Sequence, residues 1–294
     1  MRTLYGAVLT VAVALAGLAG PAAGADDELA KQKKAAMDNW ALLEAGEPAF
    51  HETEHLLLFG PKSQKKQLRE WGPLLEKYHA LAEKALQVKP KEDLWPGKLA
   101  VFVFAERGPY TAFIRRVEKR RLIADEVGSH AVEGDTPHVA AAPPRSKLDP
   151  AAERQAGEQV AAALLQKKAG PKTPLPGWLA EGFGRATTWE VFKDDKDVKA
   201  ERRLAFTLAT VKPKRKASDV YAGSLEVDEA VPLRASLADF FAYGPGAARF
   251  VRLVESFRPE ENMDRKTTEQ ALTAIAVKPD FLDKRWKQWL TTGK

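Results

Sequence analysis

The chain contains no cysteine. That excludes disulfide bonds and a lipid-modified cysteine anchor, whatever compartment the protein enters. After its first two dozen residues it has no long apolar run, so nothing there reads as a membrane span. Nor is charge of one sign concentrated: 46 basic residues are interspersed with 40 acidic ones, for a formal charge of +6. No nucleic-acid motif accompanies this mildly basic, mixed surface, so nucleic acid is not an expected partner. No internal repeat is present. The short basic runs Lys31–Lys34, Arg115–Arg121 and Lys212–Lys216 read as solvated faces, with the alternative of a cell-envelope module that holds an anionic polymer.

What is there begins with "MRTLYGAVLTVAVALAGLAGPAAGA". One basic residue, an apolar stretch from Leu4 to about Leu18 and the small-residue ending Ala23-Gly24-Ala25 form the pattern of a secretory signal peptide, cleaved after Ala25. The expectation is an exported protein, periplasmic or secreted. Removing 25 of the 294 residues leaves 269, and losing Arg2 leaves a charge of +5. With 45% hydrophobic residues that is enough chain for one large domain or two packed subdomains.

Residues 26–45 read as a leading helix. From Ser63 to Leu86, Leu74, Leu75, Tyr78, Leu81, Ala82 and Leu86 recur at helical spacing, with Pro73 marking a start or a kink. "KLAVFVFAE" (Lys98 to Glu106) reads as a buried strand between Pro96-Gly97 and Gly108-Pro109, and a helix from about Tyr110 to Arg121 follows. "EVGSHAVE" and "HVAAAPP" flank Gly134-Asp135 as a hairpin whose second strand, stopped by Pro143-Pro144, is expected at a sheet edge. The clearest helix follows Asp149, an N-cap candidate, with Pro150 and Glu153 in its first turn, Lys167 and Lys168 in its last and Gly170-Pro171 ending it. From Leu175 the chain is mostly helical and closes on a stripe of Phe281, Leu282, Trp286, Trp289 and Leu290.

One motif invites a metal. "FHETEHLLLF" contains His51, Glu52 and His55 in the order His-Glu-x-x-His. On a helix the two imidazoles would share a face and grip Zn²⁺ while the Glu activates its water. Pro48 and Gly60 can bracket such a helix, and Glu70, Glu76 and His79 are candidates for the third ligand. The same residues suit a strand equally well. In that case His51, Thr53 and His55 point to one side and Glu52 and Glu54 to the other, which separates base from ligands.

Further along, the order strand "KLAVFVFAE", helix "YTAFIRRV", hairpin, capped helix and "LPGWLAEGFGRATTWE" (Leu175 to Glu190) resembles the peptidase-MA-like family of secreted bacterial gluzincin metallopeptidases, over most of the chain after residue 25. "PGWLAEG" is its most specific element and "FAYGPGAARFVRLVESF" (Phe241 to Phe257) a weaker echo. The resemblance implies a zinc helix of the form H-E-x-x-H at "GEQVAAALL" and a third ligand from W-L-x-E-G. Residue by residue, the first ligand position is Gly157, the general-base position Glu158, the second ligand position Ala161 and the third ligand position Glu181. Both imidazoles are missing, and without them two carboxylates do not rebuild a nitrogen-rich zinc site or acidify its water. His130 and His138, near the hairpin, are the candidates for a replacement ligand. The same resemblance puts His51-Glu52-Thr53-Glu54-His55 in a first strand. The glycine at 157, inside an otherwise Ala-rich helix, points to a close approach by another backbone or to drift after the ligand was lost.

The expected fold is α+β and zincin-like: a mixed sheet with helices over residues 26–148, then a mostly α-helical part over 149–294. The expected function is that of a catalytically inactive, exported pseudo-peptidase without cofactor, keeping a cleft that binds an extended peptide or protein, with "HVAAAPP" as the edge that pairs with it. The alternatives are an active zinc peptidase using His51, Glu52 and His55, and the anionic-polymer module.

Overall fold

The computed structural model describes residues 22–89, 94–95, 97–134, 136–145, 150–260 and 265–292. Most of the leader sequence and Asp149, the expected N-cap, lie outside these residues. The chain runs α1 (Ala22–Ala41), β1 (Pro48–Glu52), β2 (Leu56–Pro61), α2 (Lys65–Ala85), β3 (Leu99–Val103), α3 (Arg107–Arg116), β4 (Gly128–Ala131) and β5 (His138–Ala141). It continues with α4 (Ala152–Ala169), α5 (Gly177–Val191), α6 (Lys196–Phe206), α7 (Ala217–Ala222), α8 (Val227–Ala242), α9 (Ala247–Ser256), α10 (Thr268–Ala274) and α11 (Pro279–Thr292). The architecture is α+β, a five-stranded mixed sheet followed by helices.

The sheet has the order β1-β2-β3-β5-β4. β2, β3 and β5 run parallel, and an antiparallel strand closes each side, β1 against β2 and β4 against β5. β5 is therefore interior, and the edge expected of it belongs to β4. Pro143 and Pro144 follow Ala142, whose amide still donates to the Val127 carbonyl, so their missing donors fall beyond the ladder.

Alternation along the strands divides two apolar layers. Leu57, Phe59, Ala100 and Phe102 face α1 and α3, where Trp40 stacks on Phe104 with centroids 5.6 Å apart. Leu56, Leu58, Leu99, Val101 and Val103 face α2 and α4. With both faces covered, β2 and β3 read as continuous apolar runs rather than alternating ones. The second layer continues without a break into the helical part, through Phe183, Leu237 and Phe250 to Trp286.

α3 begins three residues before the expected start at Tyr110 and ends at Arg116 rather than Arg121, because Gly108 and Pro109 sit within its first turn. Pro73 lies inside α2, and Leu75, Tyr78, Ala82 and Leu86 of the expected stripe are buried while Leu74 and Leu81 are only partly so. In α11, Leu282 and Trp286 are buried and Trp289 packs on Phe240 at 5.9 Å, but Phe281 is 55% exposed. Phe281 falls one residue off the i, i+4, i+7 row that faces the core.

α4 is enclosed on most of its circumference, with Gln155 to Gly157, Val160 to Leu165 and Ala169 buried. Its carboxyl end is satisfied by specific donors. Gly170 turns the chain at φ +114°, and Arg258 donates to the Ala169 carbonyl at 2.9 Å and the Lys168 carbonyl at 3.0 Å. α5 lies between α4 and α8 on two glycines. A Cβ at Gly184 would stand 2.7 Å from the Glu158 carbonyl oxygen, and one at Gly182 would stand 2.5 Å from that of Arg234.

Candidate functional site

His51 and Glu52 end β1, Thr53 and Glu54 form the turn, and His55 immediately precedes β2. The His-Glu-x-x-His string is thus a hairpin and not a helix, which removes the zinc-peptidase geometry that His51, Glu52 and His55 would need. Alternation does what it must in a strand. Glu52 turns toward α1 and pairs with Lys33 at 2.6 Å and Lys98 at 2.9 Å, whereas His51 lies over Gly72 of α2. The would-be base and the would-be ligands point to opposite sides of the strand.

At the positions matched to a zinc helix, the space is filled. A Cβ on Gly157 would come within 2.4 Å of the Tyr78 ring, so the ring of α2 occupies the volume into which a first ligand would project. The close approach at Gly157 is thus made by a side chain and not by the backbone expected from the sequence. Ala161 is fully buried and offers only a methyl. The Glu158 carboxylate accepts from Arg185 at 2.9 Å and from the Thr188 hydroxyl at 3.0 Å, and Thr188 is in turn bonded to the Tyr78 hydroxyl at 2.9 Å. Arg185 also makes a two-pronged pair with Glu201. Burial alone would lower the Arg185 guanidinium, but the charge of Glu158 and the bonds and charge of Glu201 outweigh it and hold it firmly protonated. Burial, then the Glu158 charge, raises the Tyr78 phenol far above its ordinary range.

Glu181 is mostly exposed and pairs with Arg234 of α8 at 2.5 Å. Glu158 and Glu181 are thus engaged by different arginines, and among the described residues they share no hydrogen-bond partner. Neither histidine of the hairpin replaces a ligand. His130 bonds Gln159 of α4 at 3.0 Å, and His138 faces the other layer, against Phe113 and the Thr136 carbonyl. Each basic run holds residues paired with acids: Lys33 with Glu52 and Lys34 with Asp38, Arg116 with Glu44 and Arg120 with Glu118 and Glu126, and Arg215 with Glu229.

A second constellation stands where the hairpin meets α2. Glu76, His79 and Glu83 succeed one another along one face of α2, and His55 is delivered to them by the β1–β2 turn. Glu76 Oε1 accepts from the His55 amide at 2.8 Å and from the Thr53 hydroxyl at 2.5 Å, and Oε2 lies 2.8 Å from His55 Nδ1. The His55 and His79 rings stack at 4.4 Å. One ligand-capable atom from each of His55, Glu76 and His79 falls within 4.8 Å of the others. Burial alone would raise Glu76, but the bonds from Thr53 and His55 outweigh it and keep it below the usual carboxylate range. Burial, then the neighbouring His55, pushes His79 down to about 4, so its imidazole is neutral at pH 7.

Glu76 and His79 were both among the sequence candidates for a third ligand. His55 was itself a sequence candidate, named as a ligand with His51; what the sequence did not show is which of these residues the fold brings together. His55 meets them through the fold and does so without His51. The available signal was the Glu-x-x-His spacing of Glu76 and His79, which places both on one helical face. Another group that sequence reasoning passed over is Asp239 of α8, 1% exposed, with Arg202 at 3.2 Å and no hydrogen-bond donor to its carboxylate among the described residues. Burial pushes it up to about 7 against the opposing charge of Arg202.

Among the described residues no helix is long and apolar enough to cross a membrane. Comparison of the chain with protein-family models, with curated proteins and with solved structures finds no match.

Proposed function

We propose that this chain is an exported, non-catalytic protein on a gluzincin-like scaffold that binds an extended peptide or protein segment along β4. The observation that carries the non-catalytic reading is the filling of the Gly157 position by Tyr78, together with the Arg185–Glu158 pair. The Glu158 carboxylate is already taken up by bonds from Arg185 and Thr188, and among the described residues no imidazole stands beside it to hold an activating metal.

The binding reading rests on β4, at the end of the sheet and beside α4. Ala142 donates to the Val127 carbonyl, so the antiparallel alternation leaves the backbone amides of Gly128 and His130 directed away from β5. Such an edge accepts another strand by backbone pairing.

The test is to incubate the protein with zinc and a library of extended decapeptides, following cleavage by mass spectrometry and amide exchange over residues 127–132. The expected outcome is no cleavage above buffer and slower exchange at Gly128 and His130 on mixing. Cleavage that is lost in Glu158→Gln would overturn the non-catalytic reading, and unchanged exchange at both amides would overturn the binding one.

A further inference from the structure

We propose that His55, Glu76 and His79 form a site for one late first-row divalent cation, Zn²⁺ or Cu²⁺, at the junction of the β1–β2 hairpin with α2. This site is separate from Glu158 and Glu181, and it does not rest on the peptide-binding reading.

The donor set suits these ions. Two imidazoles and a carboxylate match the borderline preference of Zn²⁺ and Cu²⁺, whereas Mg²⁺ and Ca²⁺ favour an all-oxygen shell. Glu76 and His79 are fixed by their i, i+3 spacing on a helix, and His55 is anchored by its backbone amide and by Thr53, both bonded to the same carboxylate. Ligands of a tetrahedral ion at bond lengths near 2.0–2.1 Å stand roughly 3.4 Å apart. The present spacing, within 4.8 Å, therefore needs a closure of about 1 Å or a little more. The partly exposed His55 ring can supply this by rotation, since its side chain retains 40% of its exposure.

Two further observations point to a ligand. His79 is 2% exposed, yet its Nδ1 has no hydrogen-bond partner among the described residues, standing 3.4 Å from Glu83 Oε2. Buried polar atoms are nearly always bonded, so an open nitrogen pair here calls for an acceptor of that pair. The carboxylates also lack a basic counterpart. Among the described residues the only ion-pair partner of Glu76 is His55 and that of Glu83 is His79, whereas Glu52, Glu118, Glu126, Glu158 and Glu201 each pair with Lys or Arg. Two carboxylates and two imidazoles, with no lysine or arginine in ion-pair distance of the carboxylates among the described residues, make a pocket whose charge a divalent cation would balance. Glu83, one turn beyond His79, is placed to become a fourth donor or to orient the His79 ring.

The experiment is calorimetric titration of the full chain, without a histidine tag, with zinc chloride and separately with copper(II) chloride, followed by electron paramagnetic resonance of the copper form. One equivalent is expected. Affinity should fall at least tenfold in His55→Ala and in Glu76→Gln, and stay unchanged in His51→Ala. The copper spectrum should show coupling to two imidazole nitrogens, a reading that needs no variant and so survives a misfolded His79 substitution. Binding of less than a tenth of an equivalent, equal affinity in wild type and His55→Ala, or a copper spectrum without nitrogen coupling would each overturn the site.

Discussion

At the scale of single residues, Gly157 shows how a helix position is set from outside the helix. Alanine there would gain about 1 kcal/mol of intrinsic helix preference. The same methyl would stand 2.4 Å from the Tyr78 ring, which is locked between Phe192 and the Thr188 hydroxyl. Overpacking of this kind costs about 1–3 kcal/mol. Gly157→Ala is therefore expected to lower stability, and adding Tyr78→Leu should restore part of the loss in a double-mutant cycle read by urea denaturation. Full additivity of the two changes would mean that the ring does not dictate the glycine. Asp239 makes the second residue-scale prediction. The groups facing it are Arg202 of α6, Glu190 of α5 and the Tyr243 phenol. Its folded-state pKa of about 7 lies above the ordinary unfolded value near 3.9, so between these values the native chain binds the extra proton. Its contribution to stability is thus complete below about pH 4 and is lost as pH rises toward 7. Asp239→Asn should match the wild type at pH 4, exceed it by at least about 1 kcal/mol at pH 8, and flatten the profile between, as read by chemical denaturation at each pH. An unchanged slope would show that Asp239 does not titrate in this window.

Elements were legible in the sequence where punctuation and period agreed. α4 and the β4–β5 hairpin were bracketed by Gly and Pro, and β3 by its apolar run. The edge position of β5 was misread because Pro143-Pro144 marks where a strand stops, which is silent about its neighbours. The five residues of the His-Glu-x-x-His string fit a hairpin and a helix equally on their own; the resemblance put them in a strand, and His51 and Glu52 do pair with Leu58 and Leu57. The His55–Glu76–His79 constellation was half visible, since spacing along α2 is local while delivery of His55 is tertiary. The two glycines of α5 make a prediction at this scale. At Gly182 and Gly184 the obstructing atoms are backbone carbonyls of α8 and α4, which cannot rotate aside as a side chain would. Gly182→Ala and Gly184→Ala are each expected to cost about 1–3 kcal/mol or more by thermal or urea unfolding, despite better helix propensity. A neutral or stabilising result would mean that the helices separate more readily than this close packing implies.

For the whole molecule, the apolar layer beneath the sheet passes into the helices beyond α4 without interruption. Residues 26–148 and 149–294 are accordingly expected to unfold together. Far-ultraviolet and near-ultraviolet circular dichroism should trace coincident transitions, and two separated midpoints would show that the halves are independent. The proposed export predicts mature material beginning at Asp26, which amino-terminal sequencing checks, and an unprocessed amino terminus would count against it. The tryptophans carry a consequence of their own. Trp40 is stacked on Phe104 in the layer under α1, whereas Trp189 sits among α5, α6 and α8 and Trp286 is bonded to Ser236. All three are almost fully shielded from water, each in a different apolar cluster. They form a built-in set of optical addresses, so that retaining one indole at a time would time-stamp the wetting of each layer during refolding.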